Sequence, residues 1–196
     1  KEEEKKYENF SKSIRRRAAI ISGHNIDDYP LKMHVFNRAR LIKNSKNRIP
    51  YGVDLIQKYK RESWIVFTEN KKQAKEFNKI INTKGFKSAL YNTDLDSTER
   101  LENLNRFKKA DLNVLVTCTA LDEGFDMPEA DGALILSASS SKRQRVQRMG
   151  RVLRITENKP NALIVTVYSS KTEFDKLMEE AKRYHKEGVP VSWKRQ

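Results

Sequence analysis

The stretch Val114-Leu115-Val116-Thr117-Cys118-Thr119-Ala120-Leu121-Asp122-Glu123-Gly124-Phe125-Asp126-Met127-Pro128 opens as an apolar run and breaks into a polar loop punctuated by a glycine, an aspartate and a proline. A short run rich in branched side chains and bounded by turn residues reads as a strand buried on both faces. Loops at the carboxyl end of such strands are where α/β sheets bind ligands. Working outward, the chain from residue 61 alternates such runs with longer helical patterns. The alternation predicts strands over 64–68, 88–91, 114–117, 133–137 and 162–168. Helices are predicted over 71–83, 97–109, 142–154 and 172–185. Strand, helix, strand, helix is the pattern of an α/β fold with a parallel sheet covered by helices on both faces.

Two of these helices show their buried faces in the spacing of their residues. Asn70 is placed to cap the first, Ala74, Phe77, Ile80 and Ile81 form an amphipathic stripe, and Gly85 closes it. The second begins at Ser97, and Leu101, Leu104 and Phe107 are assigned to the core. Asp94 and Asp96 read as loop and helix-capping residues.

The other informative run is Gln147-Arg148-Met149-Gly150-Arg151-Val152-Leu153-Arg154, preceded by Lys142, Arg143 and Arg145 with no acid among them. On a helix, Arg151 and Arg154 share one face and can aim both guanidinium groups at one highly charged target, with polyphosphate the obvious candidate. Gly150 would cost a helix about 1 kcal/mol relative to alanine, which makes sense if something approaches the backbone there. Taken alone, such a run could equally be a solvated basic helix face.

Taken together, the two runs resemble motifs V and VI of the superfamily 2 helicases and translocases. Trp64-Ile65-Val66-Phe67-Thr68-Glu69-Asn70-Lys71-Lys72 resembles motif IV, and Asp96-Ser97-Thr98-Glu99-Arg100 followed by Phe107 resembles the element called IVa. The resemblance covers about residues 61 to 185 and implies a RecA-like lobe, the second of the two that form such motors. It implies roles residue by residue. Arg151 and Arg154 are arginine fingers reaching ATP held by another lobe, Gln147 couples the γ-phosphate to that lobe, and Arg148 is structural or a nucleotide contact. Asp126 accepts a hydrogen bond from the ribose, and Gly124 lets the loop approach. Nucleic-acid phosphates are assigned to Thr68, Asn70 and Lys71 in motif IV and to Thr117, Cys118 and Thr119 in motif V. Cys118 departs from the family, which often has threonine there, and a thiol is a much weaker donor. Its reading as a small buried hydrophobe is the better one.

Composition sets bounds on this reading. The 196 residues carry a net charge of +14, which favours an anionic partner. No apolar stretch approaches a membrane span, and there is no signal-peptide pattern. One cysteine excludes a disulfide framework within the chain and makes a reducing, cytoplasmic setting the default. Residues 1–60 are polar and rich in lysine and arginine, with helical patches around 7–21, 32–44 and 51–60 separated by Gly23, Pro30 and Pro50. With few apolar residues they are expected to form a helical interlobe connection and no independent core, with the lobe occupying 61–196. A chain that starts without methionine inside a charged helix is also expected to be a fragment.

No Gly-x-x-x-x-Gly-Lys-Ser/Thr phosphate loop occurs among the seven glycines. Asp122-Glu123 lies beyond the strand end and inside the motif V pattern, which does not suit a metal-binding strand. Alone, the chain is therefore expected not to turn over ATP; ATP with Mg would be held mainly by a first lobe supplied by the same parent protein. The expected activity is that of an ATP-dependent helicase or translocase on DNA, with RNA possible. Gln147 and the Asp122–Asp126 loop resemble the repair, restriction and defence members more than the RNA-handling ones. The alternative is a RecA-like nucleic-acid-binding module without catalysis. Asp175, Glu180 and Lys182 read as a solvated helix face, and His24, His34 and His185 lack the spacing of metal ligands, so no metal site is assigned.

Overall fold

The computed structural model describes residues 2–21, 29–118, 129–137 and 161–194, which fall into two units, Lys1–Asn47 and Arg48–Gln196. The first unit is a helical hairpin of α1 (Glu2–Ile21) and α2 (Tyr29–Lys43). Glu2, Glu3 and Glu4 occupy the first turn of α1, while Arg40 and Lys43 occupy the last turn of α2, both matched to the helix dipole. Phe10 meets His34, Arg38 lies over the Tyr7 ring, and Glu3 accepts from the Ser45 hydroxyl and the Lys46 amide, so the helices run antiparallel. Ser11 is the one buried residue among those described in this unit, consistent with the absence of an independent core in the sequence pattern.

The second unit is a five-stranded, all-parallel sheet of order β2-β3-β1-β4-β5. Its strands are β1 (Trp64–Thr68), β2 (Ser88–Tyr91), β3 (Val114–Cys118), β4 (Gly132–Ile135) and β5 (Leu163–Thr166). Side chains alternate across it into two cores. Trp64, Val66, Val114, Val116, Leu134 and Leu136 face one way, against α3 (Arg48–Lys58) and α4 (Lys71–Thr83) through Val53, Ile56, Phe77 and Ile81. Ile65, Phe67, Leu115, Ala133 and Ile135 face the other way, against Leu104 and Phe107 of α5 (Ser97–Lys108). A final helix, α6 (Lys171–Lys186), follows β5. The helices cover both faces, as the α/β reading requires.

Two expectations need correction. Residues 48–58 do not belong to the polar connection: α3 inserts Ile49, Val53, Leu55 and Ile56 into the core, and the chain divides between Asn47 and Arg48, not after residue 60. Leu101 is exposed; the buried face of α5 is completed by Asn103, whose amide donates to the Leu90 carbonyl at 3.1 Å. The stripe also reads Leu101 two positions from Asn103, and a polar residue that satisfies a strand carbonyl outranked an apolar one at the edge of the contact. The predicted helix over 142–154 lies outside the described residues.

Candidate nucleic-acid interface

The strand register gathers the site-forming segments on one edge. Phe67 pairs with Thr117 and Ile135, and Thr68 pairs with Cys118, so β1 lies between β3 and β4 with all three carboxyl ends aligned. Residues 119–128 leave from the end of β3 and residues 138–160 from near the end of β4. Two strand spacings, about 10 Å, separate these exits. Gly124, Asp126, Thr119, Gln147, Arg148, Arg151 and Arg154 lie outside the described residues.

The end of β1 runs directly into α4. Asn70 has extended backbone, and its side chain accepts from the Gln73 amide at 2.9 Å, the expected N-cap. The first turn then carries Lys71 and Lys72 and no acid, and Lys75 follows one turn on. Cations here oppose the positive end of the helix dipole, so the local sequence favours an anion beside them over helix stability. Asp94, from the loop after β2, meets that demand: its carboxylate takes Lys71 Nζ at 2.5 Å and Lys75 Nζ at 2.7 Å. Hydrogen bonds from these two lysines hold the Asp94 carboxyl below the usual carboxylate range. All three groups are solvent-accessible, so the pairs contribute little to stability.

The remaining assigned contacts are interior. Thr68 is 3 % exposed, and its hydroxyl lies 3.1 Å from the Thr117 carbonyl and 3.2 Å from that of Asn70, tying β1 to β3. Thr117 is buried, and among the described residues its hydroxyl has no hydrogen-bond partner. Cys118 is buried in the core below α4, and burial pushes its thiol pKa up, as suits a small hydrophobe rather than a donor. Among the described residues, Asn70 and Lys71 are thus the assigned ones that reach solvent. Lys75 was missed, although its i+4 spacing from Lys71 on a capped helix puts the two on one face. Asp94 was read as a loop residue without its lysine partners, because the pairings are made across 19 and 23 positions of chain.

On the far side of the same edge, α3 supplies a buried cation that no sequence pattern marked. Arg48 donates to the Leu136 carbonyl at 2.5 Å, the Val167 carbonyl at 2.9 Å and the Ser169 hydroxyl at 2.7 Å. It also pairs with the Glu173 carboxylate in the first turn of α6, which further accepts from the Ser169 amide. One guanidinium therefore joins α3, the ends of β4 and β5, and α6. Among the described residues no cluster of His, Cys, Asp or Glu could hold a metal ion, and no helix is long and apolar enough to cross a membrane.

Residues 47–156 match the helicase conserved C-terminal domain. A DNA 3'-5' translocase XPB2 of Sulfurisphaera tokodaii is 34 % identical over 129 residues, 66 % of this chain and 28 % of that protein. A UvrABC system protein B of Fusobacterium nucleatum is 31 % identical over 125 residues, 60 % of this chain and 19 % of that protein. The chain thus spans less than a third of the length of either relative. The C-terminal domain of the DEAD-box protein Dbp5 superposes with a TM-score of 0.63 at 21 % identity, covering 73 % of this chain and 81 % of that one, a likeness of fold. With the five-stranded parallel sheet, the two cores and a family match over more than half its length, this chain belongs to the helicase C-terminal domain family, the RecA-like second domain of superfamily 2 helicases.

Proposed function

We propose that the chain is the second motor lobe of an ATP-dependent helicase or translocase that moves on DNA. The observation that carries this reading is the alignment of the β3, β1 and β4 carboxyl ends, from which the Asp126 and Arg151 segments leave about two strand spacings apart. Phosphoryl transfer spreads negative charge over the γ-phosphate oxygens, and fixed cations that meet it lower the barrier. Arg151 and Arg154 supply that charge, Gln147 and Arg148 contact the nucleotide side of the cleft, and Asp126 beside Gly124 accepts from the ribose. ATP with Mg is held mainly by a first lobe, since this chain's residues include no phosphate loop. Asn70, Lys71 and the strand ends near Thr68, Thr117, Cys118 and Thr119 meet the phosphates of the tracked strand. Support for DNA over RNA comes from the Gln147 and Asp122–Asp126 sequences and from relatives named as a DNA translocase and a UvrABC protein.

The test is ATP turnover by the parent protein carrying both lobes, with DNA and RNA compared as stimulants. Arg151→Ala and Arg154→Ala should each lower turnover by about 10³-fold or more with unchanged thermal melting, and lysine at either position should not restore it. The isolated chain should bind strands and leave ATP intact. Normal turnover by both variants would remove the finger assignment. Strand binding without any effect on ATP turnover in the parent would establish the non-catalytic module instead.

A further inference from the structure

The hairpin of α1 and α2 carries a surface that the motor chemistry does not use. α2 buries none of its residues, and Tyr29 and Phe36 are 70 % and 66 % exposed. Tyr29, Met33, Phe36 and Arg40 are spaced by four, three and four positions, so they form one stripe along the helix. Met33 within the stripe is exposed as well, and Val35 elsewhere on α2 and Ile20 on α1 are further exposed apolar residues. A contiguous apolar and aromatic stripe left in water marks a contact surface.

Its charge identifies the contact. Residues 29–47 hold Lys32, Arg38, Arg40, Lys43 and Lys46 and no acid. On α1 the acids Glu2, Glu3, Glu4 and Glu8 sit at the base, where Glu3 is occupied by Ser45 and Lys46 and Glu2 by Lys6. Arg15, Arg16 and Arg17 sit in the other half of the helix, with Arg15 and Arg16 exposed. Asp27 and Asp28 in the connecting residues leave that half of the hairpin cationic overall. The α2 face that meets α1 carries His34 and Arg38, so the stripe points away from α1 and its nearest exposed cations are Arg40 and Lys32 of α2 itself. Exposed aromatic rings beside cations are the combination that holds single-stranded nucleic acid, with bases on the rings and phosphates on the cations. A duplex hides the faces of its bases and would use the cations alone.

We propose that the α1–α2 hairpin is a second nucleic-acid site, which binds a single strand by stacking bases on Tyr29 and Phe36 of α2 and pairing phosphates with Lys32 and Arg40 beside them. It deepens the motor reading by giving the protein a hold on the strand outside the RecA-like edge.

The experiment is fluorescence anisotropy of a labelled oligo-dT strand and of a matched duplex with the full 196-residue chain, titrated at several salt concentrations. The double variant Tyr29→Ala/Phe36→Ala should weaken single-strand binding at least tenfold and leave duplex binding unchanged. Phe36→Trp should retain the affinity, and its indole fluorescence should be quenched by the strand. Lys32→Ala/Arg40→Ala should weaken both ligands and flatten the salt dependence. Because these side chains are exposed, helical circular dichroism should not change. Lys71→Ala, on the other unit, is the separating control. A silent Lys71 variant beside weakened hairpin variants would count against the edge contacts alone. Wild-type single-strand affinity in Tyr29→Ala/Phe36→Ala would overturn the hairpin site and assign the stripe to a protein partner, as would an equal loss for strand and duplex without quenching in Phe36→Trp.

Discussion

Asp94 shows how one carboxylate can report on a site through its partners. It neutralises Lys71 and Lys75 where a nucleic-acid phosphate would compete for the same two ammonium groups. Asp94→Asn should therefore tighten strand binding several-fold at low salt. The gain should vanish as ionic strength rises, measured by anisotropy at fixed pH. Weaker binding by Asp94→Asn would mean that the carboxylate orders the lysines and does not compete with phosphate. The pH dependence has a definite sign: the folded pKa is depressed, so the pairing is intact above the ordinary carboxylate range and is lost as pH falls through the lower folded value. The sequence carried the capping role of Asn70 and the burial of Cys118, since each follows from chemistry within a few positions. It did not carry the Asp94 pairs or the Arg48 hub, which join residues 19 to 125 positions apart.

At the level of elements, the strands and helices from β1 through α5 were legible because the parallel sheet is buried on both faces and its helices are capped and striped. Boundaries moved where a small residue answers a large one on the next strand. Gly132 begins β4, one position earlier than the apolar run indicated, and pairs in register with Trp64. A methyl group added there would lie 2.6 Å from the indole, which is fully buried. Gly132→Ala should thus destabilise the lobe by about 1–3 kcal/mol through overpacking, although alanine suits a strand no worse than glycine. Urea unfolding with unchanged m-value would measure it, and a neutral result would show that the sheet can shift to admit the methyl. Gly52 plays the same part for α3, facing Leu136 where a side chain would not fit without movement. Neither glycine has a signal in the sequence, because each is required by a residue far away in the chain.

For the molecule as a whole, the division after Asn47 makes a prediction that the division after residue 60 does not. A chain of residues 48–196 should melt cooperatively near the temperature of the full chain. A chain of residues 61–196 loses Ile49, Val53 and Ile56 from the core, at about 1.5–3 kcal/mol each, and leaves Glu173 buried without its arginine, at about 3–5 kcal/mol. That sum is comparable with the whole stability of a typical domain, so the shorter chain should lack a cooperative transition in calorimetry. Equal melting of the two would show α3 to be dispensable. The fold class was readable from motif order alone. The seam between the units was not, because α3 looks polar in composition and reveals its buried stripe only when it meets the sheet.

Arg48 is the first residue past that seam, and its four acceptors anchor the start of the second unit within that unit's own sheet and last helix. Tension applied to the polypeptide at residue 47 arrives at the ends of β4 and β5 and at the start of α6, spread over three elements at once. A pull at the first residue of the lobe is thus shared by the end of β4, which leads into residues 138–160, and the end of β5, which follows them.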